Sequence, residues 1–335
     1  MVVIQTDRND HSTNDVLDWI FYFNNDRQVC RINDVASIRS MTYRIGRKPT
    51  FQLSTDQCLL EQEAIRAYWY RRGRFSFHYT GDIKTGDTQF TSLADKFIRN
   101  VDHDKNVVLK NLLNEIAKVP QHVNKPADAI TDKIENLKIA LSCGLSIPET
   151  IITNDIEQLS RFAAEHSKII TKSIDYSLFT IAINDQIVRF SLDTALISES
   201  QLSSFSATYH KCFCPPALFQ QYIEKKIELR IFYLNGELFP MAIFSQASEQ
   251  TKLDFRNYDI RRPNRTIPFR VSAAIENKLI LLMRHLEFDS GSIDMILTPD
   301  GDYYFLEVNP IGRYQWLAKN CNYPIDRKIA EILTS

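Results

Sequence analysis

The chain has 335 residues, 44% of them hydrophobic and 11% aromatic, which is enough for two or three subdomains with their own cores. Forty Lys and Arg against 41 Asp and Glu leave a net charge of −1, so global charge favours neither nucleic acid nor an anionic membrane surface. No apolar run approaches the ~20 residues of a membrane span.

After Met1 only Val2, Val3 and Ile4 are apolar before a polar stretch, which argues against a signal peptide and for a cytoplasmic protein. Six cysteines show no secreted-type framework, and Cys212 and Cys214 lack metal-site companions, so free thiols are expected. Residues 2–4 read as a short buried strand. Ser12 or Thr13 can cap a following helix that presents Val16, Leu17, Ile20 and Phe21 at helical spacing, an α/β beginning. There is no GlyXGlyXXGly dinucleotide fingerprint here. TyrTrpTyrArgArgGlyArg (68–74) is either an edge strand or helix end with solvated arginines, or an anion-facing wall.

A mixed-charge segment near 100–106 predicts a transition, with a helix over 106–118 beyond it. Thr131 or Asp132 caps the next helix, whose stripe is Ile134, Leu137, Ala140 and Leu141 and whose end is marked by Gly144 and Pro148. LysIleIleThrLys (168–172) predicts a strand ending on Lys172, followed by a hairpin through Asn184-Asp185. Residues 218–223 read as a connecting run with exposed backbone, able to grip a flat base. A second hairpin turns at Asn235-Gly236. Between Asp254 and Arg270, five arginines (256, 261, 262, 265 and 270) face two aspartates; such a loop is a solvated face or, beside a phosphate site, a set of anion-binding guanidiniums. A helix over roughly 272–287 leads into the last hairpin.

That hairpin, 291–310, carries two apolar runs around Asp300-Gly301, the strongest short hairpin signal. A symmetric turn there sets Asp294 opposite Glu307, with Asn309 two residues on along the same face. Opposed like charges about 4.5–5.5 Å apart destabilise a sheet. A hard divalent cation with oxygen ligands, Mg²⁺ shared with substrate phosphates, offsets that repulsion. The plain alternative is an exposed face with two solvated acids.

SerIleAspMetIle…TyrPheLeuGluValAsnPro resembles the metal-binding hairpin of the ATP-grasp superfamily. AspLysIleGluAsnLeuLysIleAlaLeuSerCysGlyLeuSerIleProGluThr (132–150) resembles the central-domain entry of ATP-grasp peptide and ribosomal-protein glutamate ligases. The strings at 12–20, 69–73, 257–265 and 321–324 narrow the resemblance to graspetide peptide maturases of the grasp-with-spasm type, related to the microviridin ligases.

The resemblance implies an α/β, glutathione-synthetase-like fold with an N-terminal domain (1–120), a central domain (121–215) and a C-terminal ATP-grasp domain (216–335). It implies Mg²⁺ on Asp294, Glu307 and Asn309, and ATP phosphates at Lys133 and Lys172. Gln221, Tyr222 and Ile223 form an adenine hinge, Glu228 faces the ribose, and Arg230 faces phosphates or the acyl group. Arg256, Arg261, Arg262 and Arg265 would gather the substrate acid. It further implies a ribosomally made precursor peptide with its leader near 178–205, and a homodimer. SerIleAspTyrSerLeuPhe departs from the family by replacing a Gly-rich flap after Lys172. The implied reaction activates an Asp or Glu side chain as an acyl phosphate, which a Ser, Thr or Lys of the same peptide displaces to close an ω-ester or ω-amide ring. The alternatives are an ATP-grasp ligase of small amino acids or of a protein tail, and an inactive ATP- or peptide-binding protein.

Overall fold

The computed structural model describes residues 1–77, 88–129, 131–175, 178–183, 186–191, 194–208 and 211–335. The chain forms two compact units, Met1–Ile130 with Pro324–Ser335, and Thr131–Tyr323.

In the first unit β1 (Val2–Thr6) is buried at every position, as expected of a strand covered on both faces. Helix α1 (Ser12–Phe23) follows. Ser12 and Thr13 lie inside its first turn, and the capping carboxylate is that of Asp10, which accepts from the Ser12 N–H at 3.1 Å. With His11 at the N-cap position, the helix begins one or two residues earlier than expected, because the Asp10 carboxylate already takes the Ser12 N–H. β2 (Val29–Asn33) leads to β3 (Val35–Arg44), β4 (Thr50–Thr55), β5 (Leu59–Glu61), β6 (Ala67–Tyr70) and β7 (Arg74–Phe77). Helix α2 (Thr88–Ile116) and β8 (Gln121–Val123) complete this part. A parallel sheet has the order β2-β1-β6-β8, and a second sheet the order β5-β4-β3-β7.

Three expectations are corrected here. The polar stretch near 100–106 is no transition; it lies mid-way along α2, because charged residues with good helix propensity need no apolar stripe to remain helical. β6 is an internal strand, and Arg71 is buried against Asp10 at 3.2 Å, so it is neither solvated nor at an edge. Cys30 and Cys58 are joined as a disulfide, although 28 residues separate them; β2 and the β4–β5 turn bring their Cα atoms to 6.6 Å, within disulfide range. Cys143, Cys212 and Cys321 are free.

The second unit opens with α3 (Lys133–Ser142), whose N-cap Asp132 accepts from the N–H groups of Ile134 and Glu135. β9 (Thr150–Asp155), α4 (Ile156–Glu165) and β10 (Ile169–Lys172) follow, then the ribbon β11 (Leu178–Ile183) and β12 (Gln186–Ser191). The Asn184-Asp185 turn lies outside the described residues. β13 (Ala195–Ile197), α5 (Glu199–Thr208) and β14 (Cys212–Gln221) complete an antiparallel sheet of order β13-β10-β14-β9. The expected connecting run at 218–223 is therefore mostly strand. The N–H groups of Gln221 and Tyr222 are already given to Glu149 and Lys168 carbonyls.

β15 (Ile227–Leu234) and β16 (Glu237–Phe244) turn at Asn235-Gly236, with φ of 43° and 96°, the left-handed pair a two-residue hairpin requires. Short α6 (Glu249–Lys252), β17 (Arg265–Pro268) and α7 (Ala273–His285) precede β18 (Ser290–Leu297) and β19 (Tyr303–Asn309), and α8 (Gln315–Cys321) follows. These strands form a sheet of order β17-β16-β15-β18-β19. One face of the sheet carries Leu229, Ile231, Ile293, Met295, Phe305 and Val308, packed against Leu137 of α3 and Leu279, Leu282 and Met283 of α7. The other face is left for polar work. The last helix, α9 (Ile325–Thr334), belongs to the first unit and packs on α1, with the Arg327 guanidinium 5.7 Å from the Trp19 ring. Among the described residues no helix is long and apolar enough to cross a membrane.

Candidate active site

The polar face of the five-stranded sheet carries a row of charges across three neighbouring strands. Arg230 on β15 is in register with Asp294 on β18, and Asp294 with Glu307 on β19. The opposition of the two acids is the expected one, but it arises by a different route. Thr298-Pro299-Asp300-Gly301 closes through a Gly301 N–H to Thr298 carbonyl bond of 3.1 Å, with Pro299 at the position a proline ring suits. The strands therefore meet one residue out of the symmetric register, at Leu297↔Tyr303, and a bulge between Asp294 and Met295 restores it. The bulge also lets Leu306 and Glu307 both line the cleft, while Phe305 and Val308 both stay in the core.

Asp294 and Glu307 border a cleft. Ile170, Lys172 and Gln220 line it from the β10–β14 sheet, and Glu228, Asp294 and Glu307 from the other sheet. Arg230 Nη1 donates to both Asp294 oxygens at 2.7 Å, while its Nε is buried without a partner. The Asn309 amide donates to Glu307 at 3.3 Å, which leaves the Asn309 carbonyl oxygen outside that bond. Burial raises the Asp294 carboxyl, and the Glu307 charge adds to this against the opposing pull of Arg230. Burial would raise Glu307 too, but the Lys172 charge, with Arg256 and Lys133, holds it below the usual range. Lys172 is itself depressed by burial, with Lys133 and Arg256 adding to the effect against Glu307. Two buried acids in one site are thus shifted apart, Asp294 upward and Glu307 downward.

The residues fit a hard divalent cation. Two opposed carboxylates and a neighbouring amide are oxygen donors on one strand pair. Among the described residues no group of three or more His, Cys, Asp or Glu could hold a metal by itself. That is the donor set of an ion that completes its shell with phosphate oxygens and water.

The other expected residues separate into two groups. Lys133, in the first turn of α3, donates to the Ser173 and Asp175 carbonyls at 3.3 and 3.4 Å, just beyond β10. Gln221, Tyr222, Ile223 and Glu228 all line the cleft. Of the loop arginines, Arg256 alone reaches its wall: Asp254 grips it through a fork of 2.6–3.1 Å, and its Nη1 lies 3.7 Å from Glu307. Arg261 and Arg262 are exposed, their backbone N–H groups turned onto Asp259 at 3.0 Å, and Arg265 lies over the Phe244 ring at 5.8 Å.

Asp254, Lys225 and Ser245 escaped the sequence reading. Lys225 is buried and reaches the Leu253 carbonyl at 2.7 Å and Glu228 at 3.2 Å; Ser245 donates to the same Glu228 oxygen at 2.7 Å. The spacing of Lys225 and Glu228, three residues apart, was the available signal, but only the folded chain shows that both are buried.

No family model matches the chain, and no curated protein sequence matches it. Solved structures do. The RiPP-associated ATP-grasp ligase of Chryseobacterium gregarium, in complex with ADP and a leader and core peptide, is 28% identical with a TM-score of 0.74, over 99% of this chain and 96% of that one. The macrocyclase MdnC of Microcystis aeruginosa MRC, bound with precursor peptide MdnA, is 28% identical with a TM-score of 0.71, over 99% of each chain. The ATP-grasp ligase PsnB, complexed with a phosphomimetic variant of minimal precursor, Mg and ADP, is 15% identical with a TM-score of 0.66, over 99% of this chain and 97% of that one, and it shares the fold. Over its full length the chain is similar to RiPP-associated ATP-grasp ligases, and it has their fold.

Proposed function

We propose that this chain is an ATP- and Mg²⁺-dependent macrocyclase. It would phosphorylate an Asp or Glu side chain of a ribosomally made precursor peptide and close an ω-ester or ω-amide ring with a Ser, Thr or Lys of the same peptide. The observation that carries the reading is the Arg230–Asp294–Glu307 row in register across three strands, whose two acids line a cleft together with Lys172.

A carboxylate is a poor electrophile, because its charge is delocalised and oxide is a bad leaving group. Its oxygen attacks the γ-phosphorus of ATP, the bond to the β-phosphate bridging oxygen breaks, and ADP leaves with that electron pair. The peptide hydroxyl or amine then attacks the acyl carbon, phosphate departs, and the nucleophile gives up its proton. Mg²⁺, when held by Asp294, Glu307 and Asn309, supplies neutralisation of phosphate charge. Lys172 and Lys133 would meet the phosphates, and Glu228, fixed by Lys225 and Ser245, presents its remaining oxygen to the ribose. Arg230, with Nε unpaired, and Arg256, held by Asp254, would orient the transferring phosphoryl group or the acid that receives it. Placement of two side chains in a cleft can supply effective molarities of roughly 10⁵–10⁸ M.

In this proposal residues 1–120, 121–215 and 216–335 act as N-terminal, central and ATP-grasp portions. Arg261, Arg262 and Arg265 meet the acidic peptide outside the cleft. The leader docks near 178–205, a reading supported by the two-stranded β11–β12 ribbon and its exposed Ile181 and Ile187. A homodimer is part of the proposal, and sedimentation velocity tests it. The main test is incubation with MgATP and a precursor peptide rich in Thr, Ser, Asp and Glu encoded beside the gene. Each ring should remove one water from the peptide mass and release one ADP. ATP turnover with no loss of peptide mass would reject the macrocyclase reading.

A further inference from the structure

Lys225 lies in the link between β14 and β15, and only 6% of its side chain is exposed. A lysine buried to that depth is rare unless its charge is paired. Its ammonium reaches two acceptors from different parts of the chain. One is Glu228 Oε1 at 3.2 Å, the same oxygen that accepts from Ser245. The other is the Leu253 carbonyl at 2.7 Å. Leu253 directly precedes Asp254, whose carboxylate takes the Arg256 backbone N–H at 2.9 Å and grips its guanidinium at 2.6–3.1 Å. A single ammonium therefore stands between the cleft acid on β15 and the segment that carries the arginine.

We propose that Lys225 is the positioning residue of Arg256: by tying the Leu253 carbonyl to Glu228, it sets the Asp254–Arg256 pair where the arginine can meet the substrate acid. The inference rests on the reading of the cleft as a site of ATP-dependent activation. The Arg256 side chain is about half exposed, so its place depends on Asp254, and Asp254 sits in a loop after one turn of helix. Two other contacts hold that turn: Thr251 donates to the Ser245 carbonyl at 2.7 Å, and Gln246 to the Lys252 carbonyl at 3.1 Å. Lys225 holds the next residue, the one beside the aspartate. A lysine suits this task because its ammonium carries three donors and can serve two acceptors at once. Burial works to raise both carboxyls, and the Lys225 charge opposes this at Glu228 and, together with Arg256, at Asp254. Misplacing a reacting or orienting group by about 1 Å can cost roughly a hundredfold in rate.

Hydroxamate trapping of the activated peptide, at saturating MgATP and peptide, reads the arginine's placement apart from nucleotide affinity. Lys225→Met keeps the length and removes the donors, and it should cut trapping about tenfold or more, as Arg256→Ala should. The double variant Lys225→Met, Arg256→Ala should fall within about threefold of Arg256→Ala alone, because both changes act through one guanidinium. A merely structural lysine would damage the site independently of the arginine, and the two losses would multiply. Should Lys225→Met not fold, Lys225→Met in a Glu228→Gln background removes the ammonium and its counter-charge together. Compared with Glu228→Gln alone, it loses only the Leu253 tie, and trapping should again fall about tenfold. Multiplied losses, or trapping unchanged by removal of Lys225, overturn the inference and leave the activation site standing. Absence of MgADP binding or of any trapping in the wild type overturns the reading of the cleft and this inference with it.

Discussion

Replacing Arg230 by Met removes the cation that Asp294 faces across the β15–β18 pair. Both side chains are about nine-tenths buried, and one guanidinium nitrogen lies 2.7 Å from both carboxylate oxygens. Removing one partner of a buried pair typically costs about 3–5 kcal/mol, because the other charge stays uncompensated. Glu307 on the next strand offers Asp294 only repulsion. For a unit of this size, about 1 kcal/mol corresponds to roughly 2–4 °C in Tm, so the variant should melt about 6–20 °C lower. Asp294→Leu in the same chain removes the stranded charge, and the double variant Arg230→Met, Asp294→Leu should regain most of that loss while remaining inactive. Scanning calorimetry of the two single variants, the double variant and wild type gives the cycle. A single variant within about 1 kcal/mol of wild type, or a double variant that loses the sum of both singles, would refute the reasoning.

Glu307→Gln should leave the fold intact, since it relieves like-charge repulsion, and should remove the Mg²⁺ dependence of nucleotide affinity; calorimetry with and without the metal reads this. Burial raises the Glu228 carboxyl, against Lys225 and Ser245, so its anion is lost on acidification at a higher pH than an ordinary glutamate's. ADP affinity should therefore fall as pH drops through that raised value, and Glu228→Gln should flatten this limb; a limb unchanged in the variant assigns it elsewhere. Arg256→Ala should keep ADP affinity nearly intact and cut hydroxamate trapping of the activated peptide about tenfold or more, the worth of one charge-assisted contact. Equal trapping in Arg256→Ala and wild type would leave that arginine without a role in activation.

Much of this fold is legible in the residues because local signals agree with it. Asp132 caps its helix, Asn235-Gly236 turns its hairpin, and Ser272 starts α7, each through chemistry confined to a few neighbours. The opposition of Asp294 and Glu307 was legible for a subtler reason. The five-residue loop at 298–302 and the bulge by Asp294 are each invisible to a symmetric count, but they shift the register in opposite directions and cancel. What stayed hidden depends on distant partners. The Cys30–Cys58 pairing and the Asp10–Arg71 pair join residues 28 and 61 apart. The arginine loop shows the limit of charge counting: Arg256 and Arg261 each follow an aspartate by two residues, but Asp254 takes the Arg256 guanidinium at the cleft wall while Asp259 takes only the backbone N–H of Arg261. Lys225 and Gln220 were passed over because a Lys beside a Lys and a Gln beside a Gln carry no local sign of burial.

The central claim is that the chain phosphorylates a peptide carboxylate in the cleft. The most direct measurement follows heavy oxygen from the Asp and Glu side chains of the precursor during ring closure with MgATP. The account predicts that each ring formed delivers one heavy oxygen to inorganic phosphate, because the carboxylate oxygen that attacks the γ-phosphorus departs with it. Ring closure with unlabelled phosphate and all of the heavy oxygen in water or peptide would contradict it.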